Sequence, residues 1–330
     1  MKQLIITISF LLLTACGQKS TSEYIASGKA LFEQQQLKAA IIEYKNAVKT
    51  DPNNGEARFL LGQAYLADKQ YDFAQKEFER ALEFNYQLEQ LIPMLSETYK
   101  KTGADKALLQ LSLNQLSNPD DQAKVNFFQL QALMRLRQTE KARVLIEDMS
   151  TLETDSPYKP MALVIDLLID EEIDAALVQL DNILTEHPTH PDALKLKANL
   201  LLSQGQLSAS ADVYQNYVTH HPDDLEVIFV LARLYNDTNQ YDKSEPLVDQ
   251  LLAVNNKQPV LNQLKAIARM QAKDHEQALA FAEQALSVNV EDVPTRLIAG
   301  VSAYFLRDYN TANQHLSLVA SELPASHQAL

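Results

Sequence analysis

The stretch FLLGQAYLADKQYDFAQKEFERALE (residues 59–83) has the pattern of two short amphipathic helices joined by a polar turn. Apolar residues recur at spacings of three and four in each half, as expected for helices with one buried face. The stretch YIASGKALFEQQQLKAAIIEYKNAVKTDP (24–52) repeats this pattern 34 residues earlier, with Gly28 matching Gly62 and Tyr44 matching Phe78. A helical hairpin that recurs at a fixed interval predicts an array in which each hairpin packs against the next.

Prolines indicate that the same interval continues along the chain. They lie at the predicted hairpin junctions, at 52, 119, 188, 222 and 324. A proline ends or precedes a helix, since it lacks the backbone N–H that a continuing helix needs. The third unit is one residue short, and the fourth has an additional polar stretch at 150–156. We predict nine units, at 21–54, 55–88, 89–121, 122–156, 157–190, 191–224, 225–258, 259–292 and 293–326.

This pattern of large and small residues resembles the tetratricopeptide repeat. Small residues at Gly62, Ala74 and Ala81 would let the two helices approach, while Tyr65 and Phe78 fill the space between them. The resemblance implies an all-α, right-handed superhelical solenoid of antiparallel helix pairs. The first helix of each pair would line a concave groove.

The C-terminal end of the array is expected to be open. Residues 327–330 have the pattern of a tenth unit that is incomplete, so Ala299, Ala303, Leu306 and the Leu316/Val319 stripe would lack a cover. Solenoids are normally capped by a polar repeat. Either the natural protein is longer, or this end meets a partner or a second copy, and the sequence leaves the oligomeric state open.

The composition argues against several classes of function. The chain has 330 residues but only 7 glycines, which leaves few for phosphate-binding loops, and no dinucleotide fingerprint is present. The formal net charge of −14 would repel nucleic acid. No constellation of nucleophile, base and acid converges on one pocket, so we expect a protein that is not an enzyme and uses no cofactor.

The N-terminus predicts a lipid anchor. Lys2 precedes the apolar run 4–13, which is too short to span a bilayer but fits the hydrophobic part of a signal peptide. The stretch 13–16 (Leu-Thr-Ala-Cys) resembles a bacterial lipobox, which implies cleavage after residue 15 and lipidation of Cys16. In Gram-negative lipoproteins an Asp after the cysteine causes retention at the inner membrane. Here that residue is Gly17, so the resemblance implies the periplasmic face of the outer membrane. Residues 16–22 would be the lipidated tether; a secretory signal with a chance cysteine is the alternative.

Two groups of residues invite a metal hypothesis. Asp274-His275-Glu276 lacks the second histidine of a zinc-protease helix, because Leu279 stands there, so a polar turn is favoured. Four histidines cluster at the ends of units five and six, where histidine also complements a helix dipole. We assign no metal site, although the sequence leaves metal binding open at His187, His190, His220 and His221.

The groove offers the best candidate site. In the tetratricopeptide family, positions 2, 5, 9 and 12 of a unit face the groove, and a solvated helix face without function is the alternative. The resemblance assigns Glu56, Phe59, Gln63 and Leu66 in unit two, Asp192, Lys195, Asn199 and Leu202 in unit six, and Glu226, Phe229, Arg233 and Asn236 in unit seven.

A receptor for C-terminal carboxylates is not supported. Lys195 and Asn199 match the first two residues of the chaperone-binding carboxylate clamp of some tetratricopeptide proteins. The remaining clamp positions carry Val230, Val260 and Leu264, which cannot donate hydrogen bonds to a carboxylate.

The first two units resemble one family more closely. The lipobox followed by AAIIEYKNAVKTDPNNGEARFLLG (39–62) is similar to the tetratricopeptide-repeat lipoproteins of the PEP-CTERM/exosortase system. Members of that family are longer, which implies a truncated or shortened member. The resemblance implies a membrane-tethered protein-binding scaffold in the Gram-negative envelope, serving exopolysaccharide export or PEP-CTERM protein sorting, whose partner stays unidentified. The alternative is a polysaccharide-binding helper that uses groove aromatics such as Phe59, Phe229 and Tyr304.

Overall fold

The computed structural model describes residues 19–322. The predicted signal peptide (1–15), the predicted lipidation site Cys16 with residues 17 and 18 of its tether, and the predicted start of a tenth unit (327–330) lie outside these residues. The chain divides into two compact units, Met1–Ile169 and Asp170–Leu330. Every regular element in the described part is a helix.

Within residues 19–169 the first unit contains nine helices, and each packs against its neighbours in sequence. They are α1 (Thr21–Glu33), α2 (Leu37–Thr50), α3 (Gly55–Ala67), α4 (Tyr71–Glu83), α5 (Leu88–Thr102), α6 (Asp105–Leu108), α7 (Pro119–Arg135), α8 (Thr139–Ser150) and α9 (Tyr158–Ile169).

The second unit contains nine further helices within the described residues, again packed in sequence, and α13 with α15 and α15 with α17 also touch directly. They are α10 (Ile173–Glu186), α11 (Pro191–Ser203), α12 (Leu207–His220), α13 (Leu225–Asp237), α14 (Tyr241–Val254), α15 (Pro259–Gln271), α16 (His275–Leu286), α17 (Val293–Phe305) and α18 (Tyr309–Glu322).

The turn inside each hairpin has the same backbone conformation. One residue per turn is left-handed, and the next N–H bonds back to a carbonyl five residues earlier, as Gln70 does to Tyr65 at 2.8 Å. This is a Schellman ending, which satisfies the last carbonyls of the first helix. Asn85 and Gln87, between α4 and α5, are also left-handed, and at all the hairpin turns but that of Glu171 the next N–H makes the bond described. In the described part of the chain the left-handed residues of these turns follow one another at intervals of 34: Gln35, Lys69, Gly103, Arg137, Glu171, Gly205, Asn239, Lys273 and Arg307.

Polar side chains start many of the helices. Ser20 and Glu23 form a reciprocal capping box at α1, and Asn54 accepts a hydrogen bond from the Ala57 N–H at 2.9 Å at α3. Asp224 and Asp292 cap α13 and α17 in the same way. These caps satisfy backbone N–H groups that the helix itself cannot bond.

The core of a hairpin depends on a close approach between its helices. A Cβ added to Gly62 would lie 2.5 Å from the ring of Phe78, and one added to Gly28 would lie 2.5 Å from the ring of Tyr44. Both rings are almost completely buried. Burial raises the pKa of Tyr44 to about 12, with a smaller contribution from the charges of Glu33 and Glu56.

The third unit, which is one residue short in the sequence, has an incomplete second helix. Its second helix is α6, with four residues, and an irregular segment covers 109–118. Serine and asparagine in that segment compete for backbone hydrogen bonds and disfavour a helix. The Gln129 side chain donates to the carbonyls of Leu108 and Leu111, at 3.0 and 3.2 Å, and so replaces bonds that a helix would make.

The end of the described chain is less open than expected. Ala299, Ala303 and Val319 are buried, so that part of the prediction is wrong; they pack inside the α17–α18 pair. Leu306 is 43% exposed, as predicted. None of the helices between residues 19 and 322 has the length and apolar character that a membrane crossing requires.

Candidate functional site

The predicted groove residues of α3 do not form an open aromatic site. Phe59 is 3% exposed, because the rings of Phe78 and Tyr86 lie 6.1 and 5.6 Å from it. The assignment of Phe59 as a groove contact is therefore wrong. A ring with so little exposed surface belongs to the core and cannot bind a partner or a sugar.

The other predicted residues of α3 are half-buried and mostly engaged within the chain. Glu56 pairs with Lys29 at 2.7 Å, and the Gln63 amide donates to the Met94 sulfur at 3.5 Å. Leu66 lies one turn further along the same helix. Glu56 and Gln63 therefore have partners within the chain.

In the second unit, Lys195 of α11 is also engaged. Its ammonium lies 2.7 Å from Asp224 and 4.7 Å from the ring centre of Tyr217, whose hydroxyl donates to Asp224 at 2.7 Å. Burial raises the pKa of Asp224, but the hydrogen bonds from Lys195 and Tyr217 outweigh it and the net pKa is lowered. Nearby Asn199 is exposed and accepts a hydrogen bond from the Tyr214 hydroxyl at 2.5 Å. The cluster ties α11, α12 and the start of α13 together.

Asn236 is not a groove residue, which is a second correction. It is 7% exposed, and its amide donates to the Ala232 carbonyl at 3.3 Å and to the Ser244 hydroxyl. Ser244 also donates to the Ala232 carbonyl, at 2.9 Å. The pair is a buried polar link between α13 and α14.

The remaining groove residues of α13 stay accessible. Glu226 and Arg233 are exposed and form no ion pair within residues 19–322, while Phe229 is half-buried, with the Arg233 guanidinium 6.0 Å from its ring centre. Residues three and four apart share one face of a helix, so the three side chains lie in a row. They form the one predicted set that the structure brings together on an open surface of the described chain.

An apolar cavity of about 370 Å³ lies beside Phe229. Leu251 and Leu261 form buried walls, whereas Val254 is 67% exposed at its edge. The groove positions alone did not indicate these residues, because they come from α14 and from the first turn of α15. The residues that line the cavity are Leu225, Glu226, Phe229, Leu251, Val254, Asn255, Gln258 and Leu261.

The cavity marks a break in a regular contact between successive first helices. Lys195 of α11 reaches the capping Asp224 of α13, and Gln263 of α15 reaches the capping Asp292 of α17 at 2.9 Å. The equivalent residue of α13 is Phe229, and Gln258 at the start of α15 makes no capping bond with its side chain. We call the row Glu226, Phe229 and Arg233, together with the cavity, the α13 site.

The histidines at the ends of the repeats have structural contacts. His190 caps α11 by accepting from the Ala193 N–H at 3.2 Å, His220 contacts the Asn216 carbonyl at 3.0 Å, and His221 stacks on Tyr217. His187 ends α10. In the described part of the chain, no group of three or more His, Cys, Asp or Glu side chains is placed to hold a metal ion.

The Asp274-His275-Glu276 stretch is a helix start, as favoured from the sequence. Asp274 caps α16 through the Gln277 N–H at 3.2 Å, and His275 stacks on Phe305 with ring centres 4.5 Å apart. Phe305 belongs to an exposed aromatic group with Tyr304 and Tyr309, each more than half exposed.

The comparison with protein families identifies the repeats. A TPR repeat model matches residues 28–69, and tetratricopeptide repeat models match 55–87, 161–224 and 201–268. The chain therefore carries tetratricopeptide repeats in both of its units. With the helical hairpins, these matches confirm the predicted all-α fold of the tetratricopeptide type.

Solved structures with a similar fold include MamA proteins. MamA from Desulfovibrio magneticus RS-1 is 15% identical over 51% of this chain and 95% of that chain, with a TM-score of 0.43. MamA MSR-1 is 14% identical over 50% of this chain and 95% of its own, also at 0.43. MamA AMB-1 is 13% identical over 53% and 97%, again at 0.43. No curated protein sequence matches the chain.

Proposed function

We propose that the chain is a non-catalytic scaffold that binds a partner protein through the first-helix face of its second unit. The α13 site is the observation that carries this proposal. Its two charges and its aromatic ring have no strong partner inside the described chain, whereas neighbouring groove positions do. Tetratricopeptide repeats generally bind protein segments, and aromatic residues and arginine are both enriched at protein interfaces.

We propose further that the scaffold is tethered to the Gram-negative outer membrane through lipid on Cys16. The lipobox-like sequence around that residue supports the anchor, and the similarity of units one and two to the PEP-CTERM/exosortase lipoproteins supports a role in exopolysaccharide export or PEP-CTERM protein sorting. In a strain that lacks the chain, secreted polysaccharide and the location of PEP-CTERM proteins would separate these two roles.

The binding face is tested by capture from crosslinked cell envelopes. We expect Phe229→Ala/Arg233→Ala to lose a partner that the wild-type chain captures. Phe73→Ala is the matched control, because Phe73 is 56% exposed on the second helix of another repeat. Equal capture by all three proteins would remove the α13 site from the proposal.

The anchor is tested by membrane fractionation. We expect Cys16→Ser to leave the membrane fraction and to fail to incorporate a radiolabelled fatty acid. A Cys16→Ser chain that stays in the membrane fraction would contradict the lipid anchor without affecting the binding face.

A polysaccharide-binding helper is the second candidate, and the exposed aromatic group supports it. Tyr304, Phe305 and Tyr309 are 57%, 60% and 61% exposed, and rigid exposed rings offer faces on which sugars can stack. Binding of the Cys16→Ser chain on a glycan array, abolished by Tyr304→Ala/Tyr309→Ala, would favour this function. Binding that survives the double substitution would contradict it.

A further inference from the structure

Two phenylalanines occupy the same position of their repeats and differ in what covers them. Phe59 of α3 lies beneath Tyr86, with ring centres 5.6 Å apart. Tyr86 follows Phe59 by 27 residues, and the residue that follows Phe229 by 27 is Asn256. In the second unit the connecting segment 255–258 (Asn-Asn-Lys-Gln) has no aromatic side chain.

A second substitution explains why the space beside Phe229 is open. A Cβ added to Gly55 would lie 2.8 Å from the Cβ of Tyr86, so the glycine lets the tyrosine approach α3. The equivalent residue of α13 is Leu225, whose side chain lines the cavity. The cavity of about 370 Å³ therefore borders Leu225 and Phe229, which are the equivalents of the two residues that Tyr86 contacts in the first unit, Gly55 and Phe59.

The charged residues at the edge of the cavity also differ from their equivalents in the first unit. Glu56 is paired with Lys29, but the residue in the place of Lys29 is Asn199, which leaves Glu226 without a cation. Arg233 stands where α3 has Gln63. The open cavity thus has an acidic residue one turn before Phe229 and a basic residue one turn after it, both exposed.

We propose that this cavity binds a tyrosine or phenylalanine side chain of a partner protein, whose ring contacts Phe229 as the ring of Tyr86 contacts Phe59 in the first unit. The partner segment carries a basic residue toward Glu226 and an acidic residue toward Arg233. Charge complementarity fixes its direction along α13, and the apolar walls provide the affinity. This inference rests on the proposed scaffold function and specifies what the α13 site recognises.

The test is selection of peptides from a displayed library of random twelve-residue sequences, using the full chain. Leu225→Gly/Asn256→Tyr recreates the Gly55 and Tyr86 arrangement and fills the cavity from within. Val254→Arg blocks its edge at a residue that is 67% exposed, so the fold is not disturbed. Phe84→Arg is the matched control, because Phe84 is the equivalent of Val254 at the cavity that Tyr86 already fills. Circular dichroism verifies that each variant is folded.

We expect the selected peptides to share an aromatic residue between a basic and an acidic one. Their affinity should fall about tenfold or more for both cavity variants and should be unchanged for Phe84→Arg. Peptides that lack an aromatic residue, an empty selection, or displacement by a neutral oligosaccharide would overturn the proposal. Aromatic peptides that bind all variants equally would also overturn it, but the scaffold function would stand, since a protein segment would still be bound elsewhere.

Discussion

Phe59 and Phe229 show how one repeat position serves two purposes. Both lie at the fifth position of the first helix of a repeat. In both cases the first helix of the following repeat begins after a glutamine, Gln87 before α5 and Gln258 before α15. Phe59 is 3% exposed beneath Tyr86, whereas Phe229 borders an open cavity. The difference depends on two residues, because Gly55 and Tyr86 in one repeat are Leu225 and Asn256 in the other. A repeat array can thus change a core position into a binding position without altering its helices.

The largest difference between the two repeats should appear on truncation of these rings. Phe59→Ala should lower the free energy of unfolding by about 3–5 kcal/mol, because it leaves a cavity among buried rings. Phe229→Ala should cost roughly 1–2 kcal/mol, since part of this ring already contacts water. Urea unfolding followed by circular dichroism measures both, and equal losses would contradict the distinction between core and site.

The helix contact beneath these rings gives the next largest effect. Gly62→Ala should destabilise the first unit by about 1–3 kcal/mol, because the new Cβ would meet the Phe78 ring. The second unit has Ala232 and Val248 at these two positions. Adding Phe78→Val should therefore make the pair cost less than the sum of its single substitutions in a double-mutant cycle. If the losses in free energy of unfolding from the two substitutions are strictly additive, positions 62 and 78 are not coupled, which would contradict this explanation.

A smaller effect is expected where the second unit has a buried polar pair. Ser244→Ala should cost about 1–2 kcal/mol, because Asn236 loses a hydrogen-bond partner. Leu66 and Ala74 stand at these positions in the first unit, so Asn236→Leu/Ser244→Ala should return close to the stability of the wild type. A double variant that is less stable than Ser244→Ala would contradict this exchange.

The smallest effect concerns the stability of the fold at low pH. The pKa of Asp224 in the folded chain lies below its ordinary value of 3.8, so the ionised carboxylate favours folding. That contribution is present above pH 3.8 and is lost as the pH falls toward the lower pKa of the folded chain. The equivalent cap of α3 is Asn54, which does not titrate. Asp224→Asn should weaken the acid dependence of unfolding below pH 3.8, which urea unfolding at a series of pH values measures.

The fold could be predicted from the sequence because spacing determines it. Large and small residues at intervals of 34 specify where two helices approach, and this requires no knowledge of distant contacts. The turns were harder to predict, since Gln35, Lys69 and Arg137 adopt a left-handed conformation that usually favours glycine. The Schellman hydrogen bonds hold these residues in place, and that stabilisation does not show in composition.

The candidate site could be predicted only in part. The resemblance indicated Phe229 and Arg233, which lie in one row on α13, but it treated Phe59 as equivalent. The burial of Phe59 depends on Tyr86, which lies in the connection between α4 and α5 and not at a groove position. Similarly, Asn236 is buried because Ser244 of the neighbouring helix offers it a partner. Aligning the repeats residue by residue would have indicated the glycine and tyrosine that close one site and are missing at the other.

The short α6 has a consequence for how the first unit unfolds. With one full helix missing, α5 and α7 touch directly, and the irregular segment 109–118 carries the remaining contacts. Repeat arrays transmit cooperativity through neighbouring interfaces, so a weak interface divides them into blocks that open separately. The coupling between residues 19–102 and 119–169 therefore depends on the irregular segment, whose Leu116 packs with Ile92 of α5 and Val125 of α7.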